Sequence, residues 1–209
     1  SLSMESDTEF SRVAALLPSS DGYELHKFRI ASYNAVAGPC FQLDYPEDAM
    51  GVVLLNTPSF FEKTFKAWLC SKKSQNETYE EFINKFPDGP IQEFFIEKLT
   101  EVKKALEPTA VDVIYDYELH PNRRPKILMS VCGHAAGAAF FYHPPEEILG
   151  DLAPTKSTKK RSGLSLHPKY GGYFAYRAVI IFPNVFLPPT FKEERPEMRL
   201  TTIEEQDKA

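Results

Sequence analysis

The chain has 209 residues, of which 43% are hydrophobic and 25% charged, a composition typical of one globular domain with a single sizeable core. Its formal net charge of -5 argues against nucleic acid or an anionic membrane as the main partner. The cysteines Cys40, Cys70 and Cys132 are too widely separated for a disulfide framework or a structural zinc site, and no apolar run reaches membrane-spanning length. We therefore expect a cytosolic protein in which residues 1–209 form one domain.

The first half of the chain predicts helices and strands in irregular alternation. The clearest helix begins at Pro90, because Ile91, Phe95, Leu99 and Leu106 recur at helical spacing. The other predicted elements are helices over residues 8–17, 57–71 and 78–86, and strands over residues 23–30 and 50–55.

The second half predicts a strand, an apolar helix and a hairpin. The hairpin is expected because two glycines, Gly171 and Gly172, allow a turn with positive φ between two strand-like runs. The predicted elements are a strand over residues 111–119, a nearly all-apolar helix from about residue 124 to Pro144, and hairpin strands over residues 163–167 and 173–182. Residues 146–162 form either a solvated basic loop or a lid over a ligand. This order favours an α+β fold with a mostly antiparallel sheet packed with helices.

Small residues dominate the chain between Cys132 and Ala139, and three aromatic residues follow at 140–142. Gly133 and Gly137 would lie one turn apart on one helix face, which indicates either close packing or a bare surface for a large flat ligand. His134, inside this run, is interpreted as a core histidine in preference to a metal ligand.

Arginines supply the second chemical signal. Arg177 lies in a predicted strand, where a buried guanidinium needs either a structural salt bridge or the carboxylate or phosphate of a ligand. Arg123 and Arg124 follow the predicted strand 111–119. They indicate either packing in the loop and at the start of the next helix, near the acidic residues of the strand, or a contact with a partner or a phosphate. The residue patterns alone therefore predict a site for a bulky, flat ligand with an anionic portion.

Three segments resemble a known family. They are residues 116–128 (DYELHPNRRPKIL), 134–139 (HAAGAA) and 162–177 (SGLSLHPKYGGYFAYR), with weaker similarity reaching back to about Tyr23. They are similar to the cytosolic vitamin B12-processing proteins of the cblC type, the methylmalonic aciduria and homocystinuria type C family. The resemblance implies a nitroreductase-like fold that binds cobalamin with its dimethylbenzimidazole base detached from cobalt.

The resemblance also implies two reactions and a partner. In one reaction, the thiolate of glutathione removes the alkyl group of an alkylcobalamin. In the other, cyanocobalamin loses cyanide on reduction by a thiol or a reduced flavin, FAD or FMN. The implied protein partner is a cblD-type adaptor in B12 trafficking. No protein nucleophile is implied in either reaction.

Specific residues follow from the resemblance. Arg177 corresponds to the glutathione anchor. The implied cobalamin contacts are Asp116, Ile127, Leu128, Met129, Ser130, Phe141, Tyr142, His143, Ser165 and Tyr176. The family often has Gln, Cys and Ile where this chain has Ser130, Ser165 and Tyr176. Regular strand alternation would point Tyr176 and Arg177 to opposite faces, so that both reach ligand only through a bulge, a backbone contact or different ligands.

Two other functions remain open at this stage. One is a non-catalytic corrinoid carrier that delivers B12 to a partner. The other is a flavin-dependent nitroreductase in which Arg177 binds the flavin phosphate. The family also has C-terminal helices that supply further arginine to the thiol pocket, and we expect these helices to be missing after Ala209.

Overall fold

The computed structural model describes residues 2–142, 163–202 and 205. No helix in these parts of the chain is long and apolar enough to cross a membrane. The main helices are α1 Leu2–Leu16, α2 Ile30–Asn34, α3 Lys66–Lys72, α4 Tyr79–Asn84, α5 Pro90–Leu106 and α6 Met129–Ala135, with a π-helical turn Phe61–Phe65 before α3. The strands are β1 Tyr23–Arg29, β2 Ala49–Asn56, β3 Asp112–Tyr115, β4 Phe140–Tyr142, β5 Leu164–Leu166 and β6 Ala175–Phe186.

The main sheet has the strand order β1-β2-β6-β3, and every neighbouring pair is antiparallel. Its central strand β2 is buried over nearly its whole length, because the apolar run of residues 50–55 has helices or loops on both faces. Strands β4 and β5 form a separate two-stranded antiparallel sheet. The prediction of an α+β fold with a mostly antiparallel sheet is confirmed.

Two apolar clusters lie on opposite faces of the main sheet. The first, here the α5-side cluster, contains Val13 of α1, Leu99 of α5 and Leu54 of β2. The second, here the α6-side cluster, contains Cys132 of α6 and Val179 of β6. Since successive strand residues face opposite ways, β2 and β6 contribute to both clusters.

A β-bulge in β6 changes this alternation next to Arg177. Leu54 pairs with Ala178 and Leu55 pairs with Tyr176, so that Arg177 has no partner on β2. A bulge shifts the side-chain phase of one strand by one residue. Tyr176 therefore packs against the α6-side cluster, whereas Arg177 lies over the ring of Phe95 in the α5-side cluster.

Two predictions for the second half of the chain were wrong. The apolar helix is limited to Met129–Ala135, because Gly137 takes a φ of 80° and residues 140–142 pair with β5 as a strand. The predicted hairpin does not form, since β5 pairs with β4 and not with β6. In its place the turn after β5 closes on His167, whose Nδ1 accepts from the backbone N–H groups of Lys169 and Tyr170 at 3.0 and 3.2 Å.

Other element bounds also differ from prediction. Strand β3 ends at Tyr115 because its N–H donates to the Glu118 carboxylate at 3.1 Å, which starts a turn. Helix α1 begins at Leu2, so that Thr8 lies inside it and donates to Met4 O in place of capping. Strand β6 continues through Pro183, which a second register shift near Met50 accommodates. The loop or lid predicted over residues 146–162 lies outside the described residues.

Replacing Thr78 with Ala is expected to destabilise α4 by about 1 kcal/mol. Thr78 and Glu81 form a reciprocal capping box, in which the Thr78 hydroxyl accepts from the Glu81 N–H at 3.2 Å and the Glu81 carboxylate accepts from the Thr78 N–H at 2.9 Å. Faster amide hydrogen exchange at Glu81 would report the loss. The exposed Thr100→Ala on α5 is the control and should change stability by no more than about 0.5 kcal/mol; equal effects of the two changes would contradict the capping role.

Candidate functional site

The start of α6 is positioned by a buried tyrosine. The Tyr33 hydroxyl accepts a hydrogen bond from the Leu128 N–H at 3.1 Å and donates to the Phe41 carbonyl at 3.0 Å. Ile127 is 3% exposed, and Leu128 and Met129 pack against the α6-side cluster. The three predicted contact residues that precede or begin α6 are therefore held by side-chain packing and by one buried phenol.

The small residues of α6 and of the segment that follows it serve close packing. A Cβ atom on Gly133 would overlap the Tyr176 ring, and one on Gly137 would overlap the backbone carbonyl of Glu194. Ala136, Ala138 and Ala139 are also buried. Of the two interpretations of this stretch, the structure supports close packing, because its bare surface is covered by Tyr176 and by the segment around Glu194.

Two buried hydroxyl groups lie beside this contact without hydrogen-bond partners among the described residues. They belong to Ser165, which is opposite Phe141 in the β4-β5 pair, and to Tyr176. Burial raises the pKa of Tyr176 to about 12, an effect that the nearby Ser165 hydroxyl partly offsets although the pair lacks hydrogen-bond geometry. Because buried hydroxyls almost always have partners, these two are candidate hydrogen-bonding groups for a ligand once the Tyr176 ring moves aside.

Arg177 offers an anion-binding group on the other face of the sheet. Its Nε donates to Asn56 Oδ1, and its guanidinium carbon lies 5.5 Å from the centre of the Phe95 ring. Its terminal NH₂ groups make no hydrogen bond within the described residues. Burial lowers the pKa of Arg177, and the charge of Asp116 acts against this. Partial desolvation raises the pKa of Asp116, and Arg177 only partly offsets the rise.

The structure brings together only part of the residue set implied by the resemblance. Ile127, Leu128, Met129, Phe141 and Tyr176 meet at the α6-side cluster, with Ser165 beside them. Asp116 lies apart from them with Arg177, because its N–H donates to Arg177 O at 3.0 Å across the β3-β6 edge. Ser130 is half-buried on α6, Tyr142 Oη accepts from the Leu200 N–H at 2.7 Å, and His143 lies outside the described residues.

The other histidine and arginine signals have local explanations. His134 Nδ1 accepts from the Phe141 N–H at 3.1 Å, and residues 2–142, 163–202 and 205 contain no group of three potential metal ligands. Arg123 and Arg124 lie in the turn after β3, where the Arg123 N–H donates to His120 O at 2.8 Å. Neither forms an ion pair within the described residues, and Glu118 pairs with Lys126 at 3.3 Å. Arg124 lines an open surface cavity of about 390 Å³ with Cys40 and His120.

Sequence reasoning missed a cluster that fixes the turn after β5. Glu24 Oε1 accepts from His26 Nε2 at 2.7 Å and from His167 Nε2 at 2.8 Å. His167 is 4% exposed and its ring lies 5.5 Å from that of Phe174, which packs edge-on against Tyr176. The cluster ties the turn to β1. The cluster leaves no local sequence pattern, because His167 lies far along the chain from Glu24 and His26.

Glu24→Gln is expected to reduce stability by roughly 1 kcal/mol near neutral pH, or about 2–4 °C in Tm. Burial by itself raises the pKa of Glu24, but the hydrogen bonds from His26 and His167 outweigh it, so that the pKa lies below its usual 4.5. A carboxylate whose pKa is lower in the folded state than in the unfolded state stabilises the fold fully above its unfolded pKa. This stabilisation is lost as the pH falls from the unfolded pKa through the folded pKa. The Tm difference between wild type and Glu24→Gln should therefore shrink below about pH 4.5; a constant difference, or one matched by the exposed Glu47→Gln, would contradict this role.

Comparison with known proteins agrees with the geometry of the fold. The sequence profile of the MMACHC (methylmalonic aciduria and homocystinuria type C) family matches residues 22–209. A Caenorhabditis elegans MMACHC-like protein is 39% identical over 201 residues, which cover 90% of this chain and 72% of the relative. A Gallus gallus cyanocobalamin reductase / alkylcobalamin dealkylase is 36% identical over 185 residues, which cover 88% of this chain and 71% of the relative.

A solved structure gives the same result. The crystal structure of a C. elegans B12-trafficking protein CblC, a human MMACHC homologue, matches with a TM-score of 0.81 and 36% sequence identity. The match covers 98% of this chain and 78% of that one. It confirms the α+β fold expected from the resemblance. The chain belongs to the methylmalonic aciduria and homocystinuria type C family.

Proposed function

We propose that this protein is a cobalamin-processing enzyme, an alkylcobalamin dealkylase and cyanocobalamin reductase, with residues 1–209 acting as one cobalamin-binding unit. In dealkylation, the glutathione thiolate attacks the alkyl carbon, the new S–C bond gives a thioether, and the Co–C electron pair stays on cobalt as cob(I)alamin. In decyanation, reduction of cobalt releases cyanide. Family membership and the curated relatives' names support both activities.

The α6-side cluster supports cobalamin binding on one face of the main sheet. A corrin ring presents apolar faces and amide arms, and it suits a surface that mixes apolar contacts with a few hydrogen-bonding groups. Met129 and Phe141 supply apolar contact, and the buried, unpartnered hydroxyls of Ser165 and Tyr176 supply the polar groups. Since Tyr176 packs on Gly133, its ring has to turn away for the two hydroxyls to meet the ligand's amides.

The observation that carries the thiol reaction is the unpaired end of Arg177. Asn56 fixes Nε, which leaves the two NH₂ groups free to bind a carboxylate of glutathione in a bidentate manner. A guanidinium also favours the thiolate over the thiol electrostatically. Arg177 would hold the thiol and the α6-side residues would hold cobalamin. These groups lie on opposite faces of the sheet, and Arg177 is close to the start of β6 at Ala175, so the bound thiol has to reach cobalt around the end of the sheet. The enzyme would then act by positioning and by excluding water.

Decyanation needs an electron in place of a nucleophile. We assign the role of electron donor to glutathione or to a reduced flavin, FAD or FMN. A flavin held through its phosphate on Arg177 would exclude glutathione, and we therefore treat the flavin as a diffusible donor.

A cblD-type adaptor is the proposed receiver of the product, and the glutathione-rich cytoplasm is the proposed location. The adaptor and the location rest on the family resemblance.

An anaerobic absorbance titration tests the proposal. Methylcobalamin added to the protein should shift to the spectrum of the form with its base detached, and glutathione should then convert it to cob(I)alamin over many turnovers. A shift without any reaction on adding thiol would contradict the dealkylase and favour a carrier. No shift at all would contradict cobalamin binding.

A further inference from the structure

A separate cavity of about 220 Å³ lies on the α5 side of the sheet, and none of its lining residues belongs to the candidate site above. We call it the α5 cavity. Its walls include Asp21 from the turn before β1, Tyr23 from β1, Trp68 from α3, and Phe94, Glu97 and Glu101 from α5. The lining thus combines the rings of Trp68 and Phe94 with three carboxylates and the ammonium group of Lys98.

The charges of the α5 cavity are incompletely paired. Glu97 is neutralised by Lys72, whose Nζ lies 2.7 Å from its carboxylate. Lys98 lies 3.9 Å from Glu101, at the limit of an ion pair. Asp21 forms no ion pair within the described residues. The cavity therefore keeps one formal negative charge, which matches a ligand with one positive charge.

A buried, unpartnered hydroxyl provides a second and independent observation. Tyr23 is 2% exposed, and its hydroxyl has no hydrogen-bond partner among the described residues. Tyr23 lines the same cavity as Asp21 and Glu101. Burial, followed by the charges of these two carboxylates, raises the pKa of Tyr23, so its hydroxyl stays protonated. Buried hydroxyls in folded proteins almost always have a partner, so this oxygen is an acceptor for a ligand.

We propose that the α5 cavity binds a primary alkylammonium group on a short aliphatic stem. An ammonium has three N–H donors, which match the carboxylates of Asp21 and Glu101 and the hydroxyl oxygen of Tyr23. Trp68 and Phe94 enclose the stem. The cavity, at about 220 Å³, is smaller than the roughly 300–1,000 Å³ of sites for drug-sized ligands, and it therefore suits a small group. The group can belong to a free amine or to a lysine side chain.

Trp68 allows a direct binding test, because it is the only tryptophan of the 209-residue chain and it lines the cavity. The full-length protein is titrated with n-butylammonium chloride at constant ionic strength, and the Trp68 emission is recorded. Neutral n-butanol, which has the same stem, is the control ligand. We expect a saturable change with the amine and at least about tenfold weaker binding of the alcohol, because hydrogen bonds to charged groups are the stronger ones.

Three variants assign the contacts. Asp21→Asn and Glu101→Gln should each weaken n-butylammonium binding by about tenfold or more, whereas Glu93→Gln, the same charge change at an exposed position of α5, should leave it unaltered. Tyr23→Phe should weaken binding about two- to tenfold. It should not lower the Tm, because the hydroxyl has no protein partner to lose. This combination separates a ligand contact from a structural role.

The two sources of the ammonium group are distinguished with Nα-acetyl-lysine amide and its neutral Nε-acetyl derivative. Binding of the first and not of the second assigns the cavity to lysine side chains, while binding of n-butylammonium alone assigns it to free amines. The proposal is overturned if n-butanol binds as well as the amine. It is also overturned if Asp21→Asn and Glu101→Gln bind the amine as Glu93→Gln does.

Discussion

Arg177→Gln is expected to lower kcat/KM for glutathione in the dealkylation of methylcobalamin by about 10- to 150-fold, while the Kd for methylcobalamin changes less than about threefold. The two NH₂ groups of Arg177 make no hydrogen bond within the described residues, and a bidentate carboxylate contact there contributes about 1.5–3 kcal/mol. The proposed α6-side cobalamin contacts lie on the opposite face of the sheet, and the substitution leaves them in place. Steady-state kinetics at varied glutathione, together with an absorbance titration of methylcobalamin, measure both constants.

Two further variants separate charge from geometry at this site. Arg177→Lys keeps a positive charge but loses the planar fork and the bond to Asn56, so we expect an intermediate activity. Arg124→Gln removes an arginine from the exposed turn and should leave both constants unchanged. Equal losses of thiol-dependent rate and of cobalamin affinity in Arg177→Gln would contradict the division of roles between the two faces.

The position of Arg177 shows how far the sequence could predict the site. Regular alternation predicted opposite faces for Tyr176 and Arg177, and the structure has this arrangement. The bulge decides which of the two faces each residue takes, and it depends on how β2 pairs, with Leu54 opposite Ala178 and Leu55 opposite Tyr176. Strand pairing over more than a hundred residues leaves no local pattern, so the sequence could not locate the bulge. The same holds for Asn56, whose side chain is the hydrogen-bond partner of Arg177.

Errors in the predicted elements have a common physical cause. Local spacing predicted α5 and β1 well. The buried residues of α5 all face the α5-side cluster at helical spacing, and the residues of β1 alternate between the two clusters as strand residues do. It failed between residues 124 and 142, where buried small residues are compatible with either a helix or a strand. There, tertiary contacts with Tyr176 and Glu194 decide the conformation. The hairpin failed for a related reason, since β5 finds its partner in β4.

Gly133→Ala is expected to destabilise the protein by about 1–3 kcal/mol, because a Cβ atom there would overlap the ring of Tyr176. Moving the Tyr176 ring aside costs packing free energy, since the ring centre lies 5.1 Å from that of Phe174 and the ring packs against the α6-side cluster. Denaturant unfolding measures the loss. Gly172→Ala is the matched control, because a Cβ atom at Gly172 meets nothing within 4 Å, and it should change stability by no more than about 0.5 kcal/mol.

A double-mutant cycle identifies Tyr176 as the cause of this loss. Tyr176→Ile shortens the side chain to the residue that the family often has at this position. Combining it with Gly133→Ala should recover most of the stability, with a coupling energy of about 1–3 kcal/mol. Additive losses would show that Gly133 is required for a reason other than the Tyr176 ring. In the proposed complex the Tyr176 ring turns away before cobalamin binds. Tyr176→Ile should therefore bind methylcobalamin no more weakly than wild type, because the lost hydroxyl contact is offset by a surface that is already open.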